Sequence, residues 1–321
     1  MSTDDPSIIT FGPVPSRRLG RSLGINNIPP KACSYSCLYC QVGPSLHKQV
    51  EPREFYSPDE IFDAVKNRIA AVQAQGETID YLTFVPDGEP TLDSQLGKTI
   101  ELIRPLDIRI AVISNASLIW RADVQQVLNQ VDLVSLKVDT VDEQCWKTIN
   151  RPHESLQHVN ILQGIRDFAR QYTGELITET MLLEGINDSQ QAVSSVADFL
   201  EEIQPSVAYI AIPTRPTAEV AISPPAEEKV VQAYTLLAEK LKCVETLLGY
   251  EGNDFAFSGD LEQDLLSITA VHPMREEAVN TLLHKAGMGW DLIQALLDNN
   301  KLKKVEFAGD NFYVHQFLEN Q

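Results

Sequence analysis

Apolar residues in this chain alternate between two kinds of run. Short stretches rich in Val and Ile, at Ile79–Val85, Ile108–Ile113, Val131–Val138, Leu176–Leu183 and Val207–Ile212, are mostly apolar on both faces and predict strands covered on both sides. Longer amphipathic stretches lie between them. Ser57-Pro58-Asp59-Glu60 combines a capping box with a proline at the first helical position, and predicts a helix to about Gly76. Further helices are expected from about Asp93, near Arg121–Asn129, over Asp142–Tyr172, and after a cap near Asp188. With a strand leading into the cysteine-bearing segment Lys31–Gly43, the pattern gives about six βα units. Such alternation implies right-handed crossovers, a parallel sheet, and functional loops at the carboxyl ends of the strands.

The period changes near Glu251–Ser267, an acidic, Gly-containing stretch that reads as a linker. Beyond it, two amphipathic helices, Arg275–Ala286 and Trp290–Asn299, precede strands Leu302–Phe307 and Asn311–His315 around a Gly309-Asp310 turn. The expected division is residues 1–258, a partial α/β barrel with an N-terminal extension, and 259–321, a small winged-helix-like module. Only two of its usual three helices are visible in the pattern.

A formal net charge of −19 argues against a protein that holds nucleic acid through bulk electrostatics. The C-terminal module shares that sign: from Glu262 to Gln321 five Lys and Arg stand against nine Asp and Glu, so duplex DNA is not expected as its partner. Pro6–Val50 is the exception, with no acidic residue and with Arg17, Arg18, Arg21, Lys31 and Lys48. It can meet an anionic ligand or simply solvate a surface loop. No apolar run approaches a membrane span, and Met1–Pro6 lacks the basic and apolar regions of a signal peptide, so no membrane partner and a cytoplasmic location are expected.

The most specific chemistry sits at Cys33, Cys37 and Cys40, spaced Cys-x3-Cys-x2-Cys. Three thiolates can hold three irons of a [4Fe–4S] cluster and leave the fourth open, whereas most structural clusters use four cysteines. A structural zinc site needs a fourth ligand, for which His47 is the nearest residue. A disulfide framework does not suit five cysteines in 321 residues. Cys145 and Cys243 are too few for a second such cluster and read as buried thiols.

This spacing, with Tyr39 just before the last cysteine, resembles the signature of the radical S-adenosylmethionine (SAM) superfamily. Asp87-Gly88-Glu89-Pro90, after the second strand, is similar to that superfamily's Gly-Gly-Glu motif, with Asp in place of its first Gly. There a strand-end glycine lets backbone approach a ligand closely, and a carboxylate accepts from the methionyl ammonium. Ser114-Asn115-Ala116 is similar to the turn found after the third strand. In the fourth strand Ser135, Lys137 and Asp139 share one face; a Lys137–Asp139 ion pair and contact with SAM or substrate are both open. Glu179 in the fifth strand is the candidate for the SAM ribose or methionyl group. Arg215, stiffened between Pro213 and Pro216, reads either as an anion-binding residue at the barrel mouth or as a surface arginine.

Within the superfamily, Phe11–Gly24 resembles a bacterial and archaeal group of iron–sulfur oxidoreductases related to wyosine-type tRNA-modification enzymes. The resemblance implies an incomplete (β/α)6 TIM-type barrel. It also implies a [4Fe–4S] cluster, SAM bound to its open iron, reductive cleavage to a 5′-deoxyadenosyl radical, and hydrogen abstraction from a substrate. Cluster ligands are then Cys33, Cys37 and Cys40, with SAM contacts at Tyr39, Gly88, Glu89, Asn115, Asp139 and Glu179. A flavodoxin- or ferredoxin-type reductant is expected, and a modified RNA base is one substrate candidate. A cluster-bearing redox sensor with a winged-helix output and an activase of glycyl-radical enzymes are the alternatives.

Overall fold

The computed structural model describes residues 9–45, 47–219, 222–249 and 252–316. The segment read for a signal peptide, the first residue of the expected linker and the end of the last strand's tail lie outside them. An antiparallel hairpin, β1 (Thr10–Ser16) and β2 (Gly20–Ile25), begins an eight-stranded sheet. It continues in chain order through α1 (Pro58–Ala74), β3 (Tyr81–Phe84), α2 (Leu96–Ile103), β4 (Arg109–Ser114), α3 (Ala122–Leu128) and β5 (Leu133–Lys137). Then follow α4 (Glu143–Asn150), α5 (His158–Gln171), β6 (Glu175–Met181), α6 (Gln190–Ile203), β7 (Val207–Ala211), α7 (Glu227–Ala238) and β8 (Val244–Leu247). From β2 to β8 every neighbouring pair is parallel.

The six expected units are those begun by β2 to β7, on a sheet that curls into a partial barrel. Two strands lie outside that expectation: β1 on one edge and β8, near Cys243, on the other. The helical material expected over 142–172 is two helices, divided where Arg151 takes a left-handed φ of 44° just before Pro152.

Period-two alternation separates the sheet's faces. Leu23, Leu82, Ile110, Val134, Leu176 and Ala208 pack outward among the helices. Tyr81, Ala111, Leu133, Ile177 and Tyr209 form the concave interior together with Leu19 of the β1–β2 turn. In the same turn Arg17 donates to the Thr246 carbonyl of β8 at 3.5 Å, linking the two edges of the open sheet.

The C-terminal module corrects the linker reading. A helix, α8 (Leu261–Val271), lies where the acidic linker was expected, followed by β9 (Met274–Arg275), α9 (Glu276–Ala286), α10 (Asp291–Asp298), β10 (Leu302–Phe307) and β11 (Asp310–His315). Asp260 caps α8 by accepting from the Gln263 amide, and Glu262 and Asp264 stand in its first turn, where the helix dipole favours negative charge. Acidity that looked like a linker is a helix start, and Leu261, Leu265 and Ile268 are its buried stripe. The module therefore has three helices and a β10-β11-β9 sheet, in the element order of a winged helix.

This module packs on the barrel. Phe11 and Val14 of β1 belong to its apolar core, beside Phe255, Leu265, Ile268 and Met274. Phe11 packs against Gly24 of β2, where a Cβ would stand 2.0 Å from the tip of the ring. From α1, Arg68 forms a buried ion pair with Asp264 at 2.6 Å and donates to the Gly12 carbonyl at 2.8 Å.

Candidate functional site

Two elements hold the cysteine loop between them. On one side the end of β3 pairs with it: the Lys31 amide donates to the Asp87 carbonyl at 2.8 Å, and the Glu89 amide to the Ala32 carbonyl at 3.0 Å. The approach is so close that a Cβ on Gly88 would stand 2.0 Å from that carbonyl oxygen, so only glycine fits. On the other side, the last turn of α4 offers the carbonyls that a helix end leaves without intrahelical partners. Ser36 donates to the Asn150 carbonyl at 3.0 Å and Leu38 to the Ile149 carbonyl at 2.9 Å.

Cys33, Cys37 and Cys40 are free, half-buried thiols in this loop. Burial pushes Cys37 up to about 12, and burial and then mutual repulsion raise Cys33 well above its ordinary value. Burial raises Cys40 too. A cation is needed to draw off these protons. Side-chain amides approach two of the sulfurs: Asn115 Nδ2 stands 3.6 Å from Cys33 Sγ, and Asn150 Nδ2 stands 3.5 Å from Cys37 Sγ. Cys145 and Cys243 are half-buried, less enclosed than expected; the Cys145 thiol faces the Ile186 carbonyl.

Glu89 is fully buried and collects four donors. Its Oε1 accepts from the Thr91 amide, the Thr91 hydroxyl and the Ser114 hydroxyl, and Oε2 accepts from the Asn115 amide at 2.7 Å. Burial raises its carboxyl, against the pull of these donors. The carboxylate thus ties the ends of β3 and β4 together behind the cysteine loop. Asp87, pushed up to about 6 by burial and drawn back by Lys31, pairs with that lysine at 3.2 Å.

Inside the barrel, register places Lys137 beside Glu179. Lys137 Nζ meets Glu179 Oε1 at 2.6 Å, closer than its 3.9 Å approach to Asp139, so the pair expected within one strand is chiefly a pair between strands. Arg18, reaching up from the β1–β2 turn, binds the other Glu179 oxygen. Burial alone would raise this carboxyl, but Lys137, Arg18 and Arg215 bring it down to about 2. Tyr39 donates to Asp139, and the Lys137 ammonium stands 4.7 Å above the Tyr39 ring. Asn150 Nδ2 also reaches Asp139 at 2.8 Å. A small cavity beside the loop is lined by Tyr35, Asn115, Lys137, Asp139 and Asn150.

Arg215 is buried, not a surface residue, and donates to Gln41 next to Cys40 at 3.0 Å. Its charge, after burial, lowers His272 well below the ordinary value. His272 follows α8, so the module's chain comes close to the barrel mouth.

Residues 27–195 match the radical SAM superfamily. The chain belongs to that superfamily. It is 50% identical over 308 residues to a UPF0026 protein of Methanocaldococcus jannaschii, with 95% of each chain covered. It is 34% identical over 215 residues to a UPF0026 protein of Helicobacter pylori, covering 65% of this chain and 68% of that one. Among solved structures, a radical SAM methyltransferase from Sphaerobacter thermophilus matches with a TM-score of 0.56 at 13% identity, covering 71% of this chain and 66% of that one. TYW1 with a lysine–pyruvate adduct bound matches at 0.53 and 14%, covering 69% and 74%. These likenesses concern the fold.

Radical SAM proteins generally bind SAM and a [4Fe–4S] cluster, and membership implies an enzyme with SAM-cleavage chemistry. The donor set here fits those groups. Three thiols share one loop, and side-chain amides approach two of them. A cubane asks for thiolates at three of its corners, where zinc asks for four ligands on one centre. The Ser135 hydroxyl, on the lumen face two residues before Lys137, is buried with no hydrogen-bond partner among the described residues. An orphaned donor in a lumen of this kind is what a ligand with polar edges would satisfy.

The structure brings Tyr39, Gly88, Glu89, Asn115, Asp139 and Glu179 around the cysteine loop. Sequence reasoning missed Asn150, and it named Arg18 and Ser114 without their partners Glu179 and Glu89. Asn150 ends an amphipathic helix and belongs to no motif; its one signal is Arg151-Pro152, which marks the helix end beside it. Arg18 lies far from the strand-end loops where the search was directed.

Proposed function

We propose that this chain reductively cleaves SAM at a [4Fe–4S] cluster held by Cys33, Cys37 and Cys40, and directs the resulting radical at a hydrogen of its substrate. The observation that carries this reading is the clamp that sets the three thiols between Glu89 and the Lys137–Glu179–Asp139 lumen. When bound, cluster and SAM supply the bond-breaking chemistry; the chain binds, orients and keeps water out. A carboxylate has about four acceptor sites. Glu89 Oε2 takes one protein donor among the described residues and retains a lone pair for the methionyl ammonium. Glu179, with one cation on each oxygen, keeps acceptor capacity for ribose hydroxyls. Gly88 lets backbone come close, and Tyr39, Asn115 and Asp139 complete the candidate SAM contacts.

The electron source in this reading is a flavodoxin- or ferredoxin-type protein. A modified RNA base is the substrate candidate; within the basic N-terminal segment Arg18 and Lys31 are engaged with Glu179 and Asp87. Duplex DNA and membranes have no part in it: two of the three clustered lysines of the module, Lys301 and Lys304, are paired with Glu262 at 2.6 Å and Glu276 at 3.2 Å. Among the described residues no helix is long and apolar enough to cross a membrane. Anaerobic reconstitution with iron and sulfide, followed by SAM and dithionite, tests the proposal. Release of 5′-deoxyadenosine and methionine supports it. A reducible cluster that releases neither favours the redox sensor, and a spin appearing on a partner polypeptide favours the activase.

A further inference from the structure

Asn150 holds its place twice over. Its backbone carbonyl accepts from the Ser36 amide at 3.0 Å, and the neighbouring Ile149 carbonyl accepts from Leu38 at 2.9 Å, so main chain alone clamps the cysteine loop to the end of α4. The side chain is then free for another task. It is only 4% exposed, and its amide nitrogen lies 2.8 Å from Asp139 Oδ2 and 3.5 Å from Cys37 Sγ. An amide has two hydrogens. Tyr39 Oη, which donates its own hydrogen to Asp139, is a third acceptor for the amide at 3.4 Å, a long contact for oxygen. With one amide hydrogen on the carboxylate, the other faces the sulfur and this weaker oxygen contact.

Resting on the proposed cluster, we infer that Asn150 is a positioning residue that sets the cluster's reduction potential by donating to the Cys37 sulfur. Reduction adds one electron and so adds negative charge to the cluster and its thiolates. A donor aimed at a sulfur stabilises that added charge and raises the potential. The carboxylate on the amide's other hydrogen fixes the direction of the donor. Asn115 stands toward Cys33 in the same way at 3.6 Å, with its amide nitrogen also 3.0 Å from Ser34 Oγ. Because main chain holds the loop, removing the Asn150 amide leaves the cysteine geometry in place.

The test is a dithionite titration of the reconstituted full-length chain, followed by the electron paramagnetic resonance of the reduced cluster. Wild type is compared with Asn150→Leu, which keeps volume and lacks the donor. Iron content is expected to stay the same. The reduced-to-oxidised ratio at a fixed potential is expected to fall about tenfold, a shift of ~59 mV toward more negative potential for a one-electron couple. Should Asn150→Leu lose iron, Asn150→Ala gives the same reading without the bulk. An unchanged midpoint in an iron-replete variant overturns the inference while leaving the proposed function standing. A wild-type chain with no reducible cluster overturns both.

Discussion

The barrel lumen and the core of the C-terminal module both bury charge, and they do so in opposite ways. In the module Asp264, with no exposed surface, is closed off: Ser258 donates to it from amide and hydroxyl at 2.8 and 2.7 Å, and Arg68 pairs with it at 2.6 Å. Around it the core is Phe, Leu, Ile and Met. In the lumen Glu179 is shared by Arg18 and Lys137, Asp139 by Tyr39 and Asn150, and the Ser135 hydroxyl has no partner among the described residues. Two lumen cations share one carboxylate inside a polar network, which suits a ligand site; in the module one cation meets one carboxylate inside an apolar core, which suits a joint between parts. Burial is similar in both, so what separates site from joint is the surroundings of the charges, a shared polar network in one and apolar side chains in the other.

The largest effect expected is all-or-none. Serine at Cys33, Cys37 or Cys40 should abolish cluster assembly, whereas serine at both Cys145 and Cys243 should leave about four irons per chain, as a four-iron cluster on three protein ligands requires. Iron analysis after anaerobic reconstitution decides it, and loss of iron in the double variant would return a role to the outlying thiols.

Next comes the joint. Asp264→Ala leaves Arg68 buried without its counter-charge, which should cost about 3–5 kcal/mol of stability. Urea unfolding reads this directly. A loss below about 1 kcal/mol would mean that Arg68 finds water or another acceptor, and that the joint is as open as the lumen.

Lumen substitutions should instead act on ligand affinity. Glu89→Ala and Glu179→Ala are expected to weaken SAM binding by ~1.5–3 kcal/mol, roughly 10- to 150-fold, with iron retained. Anaerobic equilibrium binding provides the measurement, and unchanged affinity in both variants would remove these carboxylates from the site.

The smallest effect concerns pH. Burial lowers His158, stacked on Trp146, to about 4, so the folded chain refuses a proton that the unfolded chain accepts. Its stabilising contribution is full above pH 6.5 and is lost as pH falls toward 4, on the order of 2 kcal/mol. Asp87 and Asp93, both raised to about 6 by burial, act oppositely: they favour the folded state at low pH and weaken it as pH rises toward 6. The His158→Gln variant should therefore lose less stability than wild type between pH 6.5 and 4, seen in urea midpoints across that range. Identical pH profiles would place the acid sensitivity elsewhere.

Much of the barrel could be read in advance because its strands are apolar on both faces and its helices carry ordinary caps, as Ser57 does with both halves of its capping box. The cysteine loop and the residues at strand ends were legible because chemistry restricts them to particular types at particular spacings. Long-range partners were not. Nothing near Glu179 in sequence announces Arg18, which arrives from 161 residues away. Nor does the change of pattern near residues 258–259 reveal that Phe11 and Val14 finish the core on its far side. The helix α8 was hidden because acids that stabilise a helix start look, by composition alone, like those that solvate a linker.

That shared core has a temporal consequence. Phe11 and Val14 leave the ribosome early, but the helices that cover them follow about 250 residues later, on the order of 10–50 s at ~5–20 residues per second. During that interval an apolar patch on an edge strand stands uncovered, open to a neighbouring nascent chain. Completion of the fold thus waits on α8 and the elements after it, whose synthesis is what covers the first strand.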